Sequence, residues 1–287
     1  MRRRAGDLRK SEWVIFSFLV YAAILAALLP VTTAVRTRVI VLNTAVIFSY
    51  AFLVLLSRKN PRLALTITRD AISMALIVLA YREMGWFAQP HLNQKLETSW
   101  VIWDRAFLRG GGKAAIEVLG PLLPSILEIS YALVYTLAPF AVVMLYVYGH
   151  RERVDQFLFI FAVAVLLCYG QFPFWPSDPP RVVFLKEDLP YDILFRRFNL
   201  WMLGNYGIHT SVFPSAHVAG AFATAMGAWK TLPEHKWVGR LLLVMAILIA
   251  IATVYGRYHY LVDAIAGVAM AILAFLITGW RRGGTDA

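Results

Sequence analysis

The chain has 287 residues, 60% hydrophobic and 16% charged, with 28 Lys and Arg against 17 Asp and Glu for a formal net charge of +11. Together with a mean hydropathy of +0.63, this describes a chain soluble in lipid rather than water, an integral membrane protein. The single cysteine, Cys168, excludes an intrachain disulfide and a cysteine metal cluster. No nucleic-acid motif accompanies the basic residues, whose excess fits contact with anionic headgroups.

Apolar stretches of bilayer-spanning length occur at about residues 13–34, 38–57, 62–81, 126–149, 154–172, 214–230, 238–256 and 259–280. The expected fold is an all-α polytopic membrane helical bundle of about eight transmembrane helices with a six-helix catalytic core. Residues 1–61 form N-terminal transmembrane helices and residues 62–287 a catalytic membrane domain. The first stretch follows Arg2, Arg3, Arg4, Arg9 and Lys10, and its apolar core is longer than that of a secretory signal, so it reads as a retained span. Arg69 and Asp70 lie inside the third stretch, where adjacent helix positions diverge, so each is expected to meet a neighbouring span. A buried ion pair and a transport role are both open for them.

An inner N-terminus places Arg58, Lys59 and Arg62, then Arg151 and Arg153, then Lys230, Lys236 and Arg240, and finally Arg281 and Arg282 in short inner segments, as the positive-inside rule requires. Two longer segments, about 82–125 and 173–213, then face outward. In the first, SWVIWDRAFLRGGGK with Trp100, Trp103 and Phe107 predicts a short interfacial helix that anchors the chain or gates a substrate. In the second, FPFWPSDPPR contains Pro173, Pro176, Pro179 and Pro180, which forbid a regular helix and fix a rigid path to Arg181.

Two strings at the mouths of apolar stretches carry the chemistry. In FPSAH, residues 213–217, a proline suited to a first helical turn precedes His217, with Thr210 and Ser211 as possible caps. In HYLVD, residues 259–263, the i and i+4 spacing puts His259 and Asp263 on one helix face, where the carboxylate selects one imidazole tautomer. At about 1.5 Å per residue, the helix descending from His217 and the one climbing back to His259 cover comparable heights, so both histidines reach one depth on the outer face. Two histidines and a carboxylate also occur in catalytic zinc sites, but no further ligand is evident, and no metal or cofactor is expected.

Taken together, these residues resemble the type 2 phosphatidate phosphatase superfamily of membrane lipid phosphatases and phosphotransferases over about residues 98–280. That family has a basic residue before an Arg-Pro pair, then PSGH, then SR, five residues, His, three residues, Asp. Here the second motif is PSAH at Pro214–His217, the third retains His259 and Asp263, and Gly267 follows in AIAG. WDRAF, Tyr131, Tyr135 and YHYLVD look most like the inositol-phosphorylceramide-synthase-like branch. There are departures. Thr253 stands where the third motif has its arginine, with Arg257 nearest; Phe174 stands for the first motif's lysine, and Val182 follows Arg181 where the pair has proline.

The resemblance implies that His259 attacks phosphorus to form a phosphohistidine, Asp263 orients it, and His217 protonates the leaving oxygen and then acts as base. Arg181, Ser215, Ala216 and Arg257 hold the phosphoryl oxygens, with Lys186, Arg196 and Arg197 as possible supplements. The expected function is hydrolysis of a lipid phosphate or a polyprenyl phosphate or diphosphate by an integral membrane enzyme, in a bacterium an inner-membrane one with its site facing the periplasm. The alternatives are a lipid phosphotransferase and, as a non-enzyme, a lipid transporter or flippase. The latter calls for midplane charges and an internal repeat. The expected partners are a phosphate-bearing lipid and the bilayer, with no nucleic acid.

Overall fold

The computed structural model describes residues 8–59, 62–87, 94–183, 189–210 and 213–279. A backbone in hydrocarbon has no water to satisfy its polar groups, so long apolar stretches become helices. In chain order these are α1 (Lys10–Leu28), α2 (Thr33–Lys59), α3 (Leu63–Trp86), α4 (Lys95–Phe107), α5 (Lys113–Glu117), α6 (Leu122–Ala132), α7 (Val134–Val147), α8 (Val154–Tyr169), α9 (Pro180–Val183), α10 (Leu194–Tyr206), α11 (Ala216–Thr231), α12 (Lys236–Tyr255) and α13 (Leu261–Gly279). No strand occurs among the described residues, and the fold is all-α.

Among the described residues, six helical segments are long and apolar enough to cross a membrane: α1, α2, α3, α8 with its flanking turns, α12 and α13. The run from α4 to α5, joined to α6 through a 105° bend, makes a seventh if the two are one span. The expected count of eight includes two stretches that fall short of this measure. Residues 126–149 are divided between α6 and α7 at Leu133, and α11 has only 16 residues. The first span also ends earlier than expected. Pro30 biases the preceding residue to an extended conformation, so α1 stops at Leu28 with Leu29 at φ −82° and ψ 153°.

Helix α11 sits at the centre, packed against α8, α12 and α13. Lipid offers no hydrophobic drive between helices, so close approach of small residues does the work. Ala219, Ala221, Ala223, Ala225 and Ala228 of α11 are all buried. A Cβ at Gly227 would stand 3.0 Å from the Phe157 ring of α8, and one at Gly220 would stand 3.2 Å from Val165.

Polar residues hold the N-terminal helices to this centre at the end remote from His217. Arg69 of α3 donates to Glu12 of α1 at 2.8 and 2.6 Å, and both are buried. Asp70 takes Arg9 on one side and the Tyr146 hydroxyl, at 2.5 Å, on the other. The Tyr50 hydroxyl of α2 adds a bond to Glu12 at 2.8 Å, so one cluster joins α1, α2, α3 and α7. Arg69 is thus paired with α1 and Asp70 with Arg9, the residue that precedes it, and a charge stripped of its buried partner is costly, about 3–5 kcal/mol. Glu12→Ala should markedly lower the unfolding temperature in detergent, and Glu12→Leu combined with Arg69→Met should lower it less than the two single changes summed. An unchanged melting temperature in Glu12→Ala would contradict the assignment.

Candidate active site

Helix α11 starts where Ser215 caps it, its Oγ accepting from Val218 N at 3.4 Å. The cap is therefore neither Thr210 nor Ser211, the latter lying outside the described residues. His217 is the second residue of the helix. The Ser215 N–H donates to the Asp263 carbonyl at 3.0 Å, which ties the start of α11 to the first turn of α13. Gly267 permits this approach, because a Cβ there would lie 2.5 Å from the Ser215 carbonyl oxygen.

His259 lies in the turn between α12 and α13 rather than within a helix, so it does not share a helix face with Asp263 as the spacing implied. The turn passes through Arg257 at φ 64°, a left-handed conformation that costs a non-glycine residue energy and needs support. The amides of Tyr258 and His259 both donate to the Thr253 carbonyl, at 2.9 and 3.0 Å. Asp263, third residue of α13, reaches back to accept from Tyr260 N at 2.9 Å, the carboxylate half of a capping box. The same Oδ2 is 3.4 Å from His259 Nδ1. His259 Nε2 is 3.2 Å from His217 Nδ1, and His217 Nε2 is 3.0 Å from the Tyr135 hydroxyl.

A carboxylate only accepts, so this row of groups has a direction when the rings are neutral. His259 Nδ1–H faces Asp263, which leaves its Nε2 lone pair toward His217. His217 then presents Nδ1–H to His259 and accepts at Nε2 from Tyr135. Tyr131 frames the row, its ring 5.3 Å from that of His217 and stacked on Tyr258 at 4.1 Å.

The row stands at the polar end of a cavity of about 190 Å³. Arg181, Ala216, His217 and His259 line that end, and Met74, Ile77 and Val78 of α3 with Phe161 and Val165 of α8 form apolar walls. Val78 and Tyr135, on facing helices, are 58% and 53% exposed, so the cavity opens through the side of the bundle between α3 and α7. Arg181 is anchored by its own amide, which donates to the Arg257 carbonyl at 3.0 Å. Burial lowers the pKa of its guanidinium, and the phenols of Tyr131, Tyr81 and Tyr258 oppose that shift.

The other expected anion ligands are placed elsewhere. Arg257 does not line the cavity; it is buried, with Nη1 3.9 Å from Asp104 Oδ2. Ser215 is engaged as the helix cap. Arg196 donates to the Gly256 carbonyl at 2.8 Å and faces Glu128, and Arg197 pairs with Asp192 on the surface. Lys186 lies outside the described residues.

Sequence reasoning missed the carboxylates behind the site. Asp104 accepts from Leu261 N at 2.8 Å and Glu97 from Asp178 N at 2.7 Å, so α4 braces both the turn that carries His259 and the proline-rich loop. Trp103 of α4 is exposed, whereas Trp100 packs against Phe213 and Tyr260. Glu128 of α6 accepts from Asn199 at 2.7 Å and from the Tyr258 hydroxyl. Burial, with Glu128 beside it, pushes the Tyr258 phenol up. Tyr131 lies at the end of α6 and Tyr135 at the start of α7, and both rings meet that of His217.

The PAP2 superfamily family model matches residues 117–277, more than half of the chain. A PA-phosphatase related-family protein of Dictyostelium discoideum is 44% identical over 68 residues, 24% of this chain and 12% of that protein. Escherichia coli (strain K12) YbjG, whose name assigns it provisionally to the undecaprenyl-diphosphatases, is 27% identical over 146 residues, 49% of this chain and 64% of that protein. The chain thus covers less than two thirds of either relative. No solved structure matches it.

The Asp104 geometry yields a test independent of chemistry. Asp104→Ala removes the acceptor of Leu261 N and the charge facing Arg257, whereas Asp104→Asn removes only the charge. An orphaned buried donor costs about 1–3 kcal/mol, so the alanine variant should melt at a lower temperature than the asparagine variant in detergent. Wild-type melting of Asp104→Ala would remove Asp104 as a brace of the turn.

Proposed function

The chain belongs to the PAP2 superfamily, and we propose that it is an integral membrane phosphatase that hydrolyses a lipid phosphate or a polyprenyl phosphate or diphosphate through a phosphohistidine. One observation carries this reading: the row Asp263, His259, His217 ends at the polar tip of an apolar cavity that opens to the side of a membrane bundle. A lipid enters such a cavity from the bilayer, tail along the apolar walls and phosphate toward Arg181.

The phosphoryl group inserts between the two imidazoles. The His259 Nε2 lone pair attacks phosphorus while its Nδ1–H stays with Asp263, whose negative charge stabilises the ring as it becomes positive. The bond from phosphorus to the leaving oxygen breaks, and that oxygen takes the Nδ1 proton of a protonated His217. Water then attacks the phosphohistidine, giving a proton to the now neutral His217, and phosphate leaves. Arg181 and the first amides of α11, at Ala216 and His217, bind the non-bridging oxygens. Ser215 serves by capping that helix, and Arg257 by supporting the turn with Asp104.

In this reading residues 62–287 are the catalytic domain, since α3 supplies a cavity wall, and residues 1–61 brace it. The Lys and Arg distribution supports a site on the outer face. Tyr131 and Tyr135, which carry the likeness to the inositol-phosphorylceramide-synthase-like branch, stand at the site. That placement favours a second reading in which an acceptor alcohol, in place of water, discharges the phosphohistidine.

Release of inorganic phosphate from a panel of lipid phosphates, by detergent-purified protein with EDTA present, tests the proposal. Wild type should release phosphate, and His217→Ala and His259→Ala should each lose roughly 10²–10⁴-fold or more. Residues that act as one unit are strongly non-additive, so the double variant should be scarcely worse than either single one. Release abolished by EDTA, or retained in His259→Ala, would count against it.

A further inference from the structure

His217 is held from two sides. Its Nδ1 faces His259 Nε2 at 3.2 Å and its Nε2 faces the Tyr135 hydroxyl at 3.0 Å. The Tyr135 ring meets the imidazole edge-on, with centroids 5.5 Å apart and planes at 81°. Tyr135 belongs to α7, far in sequence from both strings that carry the histidines. Its neighbours along the cavity wall, Val134, Ala138 and Pro139, have no side-chain polar group, so the phenol is what that wall offers to Nε2.

An imidazole has two nitrogens, and the bond made by one decides what the other can do. We propose that Tyr135 is a positioning residue that commits His217 Nδ1 to the reacting atoms. The inference rests on the phosphoryl-transfer reading above and deepens it. A phenol both donates and accepts, so it serves Nε2 in every protonation state of the ring. When His217 is protonated, Nε2–H donates to the Tyr135 oxygen and Nδ1–H points into the space between the histidines, where the leaving oxygen sits. The Nδ1–H bond breaks, the leaving oxygen gains the proton, and the ring becomes neutral with its remaining proton still on Nε2 and held by Tyr135. The Nδ1 lone pair thus left faces the site and takes a proton from the incoming water, which restores the charged ring. Tyr135 gains and loses no proton. Without the phenol the ring is free to turn over or to offer the wrong nitrogen.

A role confined to proton donation shows itself in leaving-group dependence, whereas a structural role does not. The measurement is kcat/KM, which reads the first half-reaction, for Tyr135→Phe and wild type on two substrates. One is a long-chain alkyl phosphate, whose alkoxide needs a proton to leave. The other is p-nitrophenyl phosphate, whose phenolate leaves without one. The phenylalanine ring keeps the edge-on contact and removes only the hydroxyl. Loss of one orienting hydrogen bond should slow the alkyl ester about tenfold and leave the aryl ester nearly unchanged. In a His217→Ala background the same substitution should have no further effect on the alkyl ester.

Equal slowing of both esters, or slowing of neither, overturns the role of Tyr135 while leaving the phosphatase reading in place. A wild-type protein that cleaves neither ester, nor any lipid phosphate, removes the phosphatase reading and the Tyr135 assignment with it.

Discussion

The structure depends on one constraint: irregular backbone at the end of a membrane bundle must have its polar groups satisfied by protein. The turn between α12 and α13 is such a backbone, forced through a left-handed Arg257, and four separate segments supply its partners. Asp104 of α4 takes the Leu261 amide, Arg181 of α9 gives its amide to the Arg257 carbonyl, and Arg196 of α10 binds the Gly256 carbonyl. Ser215, at the start of α11, donates to the Asp263 carbonyl. The bonds that satisfy the turn also fix His259 against His217, so holding the fold together and aligning the site are one operation.

From this follows a division of labour among charged groups. Arg181 has its side chain in the cavity and its amide on the turn, so the group that binds the anion in the proposed reaction is positioned by the same element that presents His259. Arg257 and Arg196 face the buried carboxylates Asp104 and Glu128, which accept from the Leu261 amide and the Tyr258 hydroxyl. At the remote end the Glu12 and Arg69 pair fastens α1 to α3, the helix that walls the cavity with Met74, Ile77 and Val78. The N-terminal helices therefore bear on the shape of the cavity although they contribute none of the groups around phosphorus in the proposed reaction.

How much of this was legible in the sequence differs by element. Six spanning helices were, because spanning a bilayer requires long apolar runs; α10, inside the expected outer segment, was not, nor were the helix ends, since Pro30 ended α1 early and Leu133 split the stretch at 126–149. The contact of His259 with Asp263 was foreseen for the wrong reason: the spacing suggested a shared helix face, whereas a capping carboxylate and a turn bring the two together. Arg257 was expected to bind phosphate because it stood nearest the missing arginine, but its left-handed backbone and the buried Asp104 set its direction, and neither is visible locally. Asp104 and Glu128 carried no local signal, because what makes them braces is a set of partners about 70 to 160 residues away in the chain.

The most direct test is to trap the phosphoryl group on the enzyme. Detergent-purified protein is mixed with a ³²P-labelled lipid phosphate that it turns over, quenched in alkali, where phosphohistidine survives, and digested for peptide mapping. Label on the peptide containing His259, labile to acid, absent from His259→Ala and lost on a chase with unlabelled substrate, is the result this account predicts. Steady release of phosphate with no labelled peptide, or with label on His217, would contradict it.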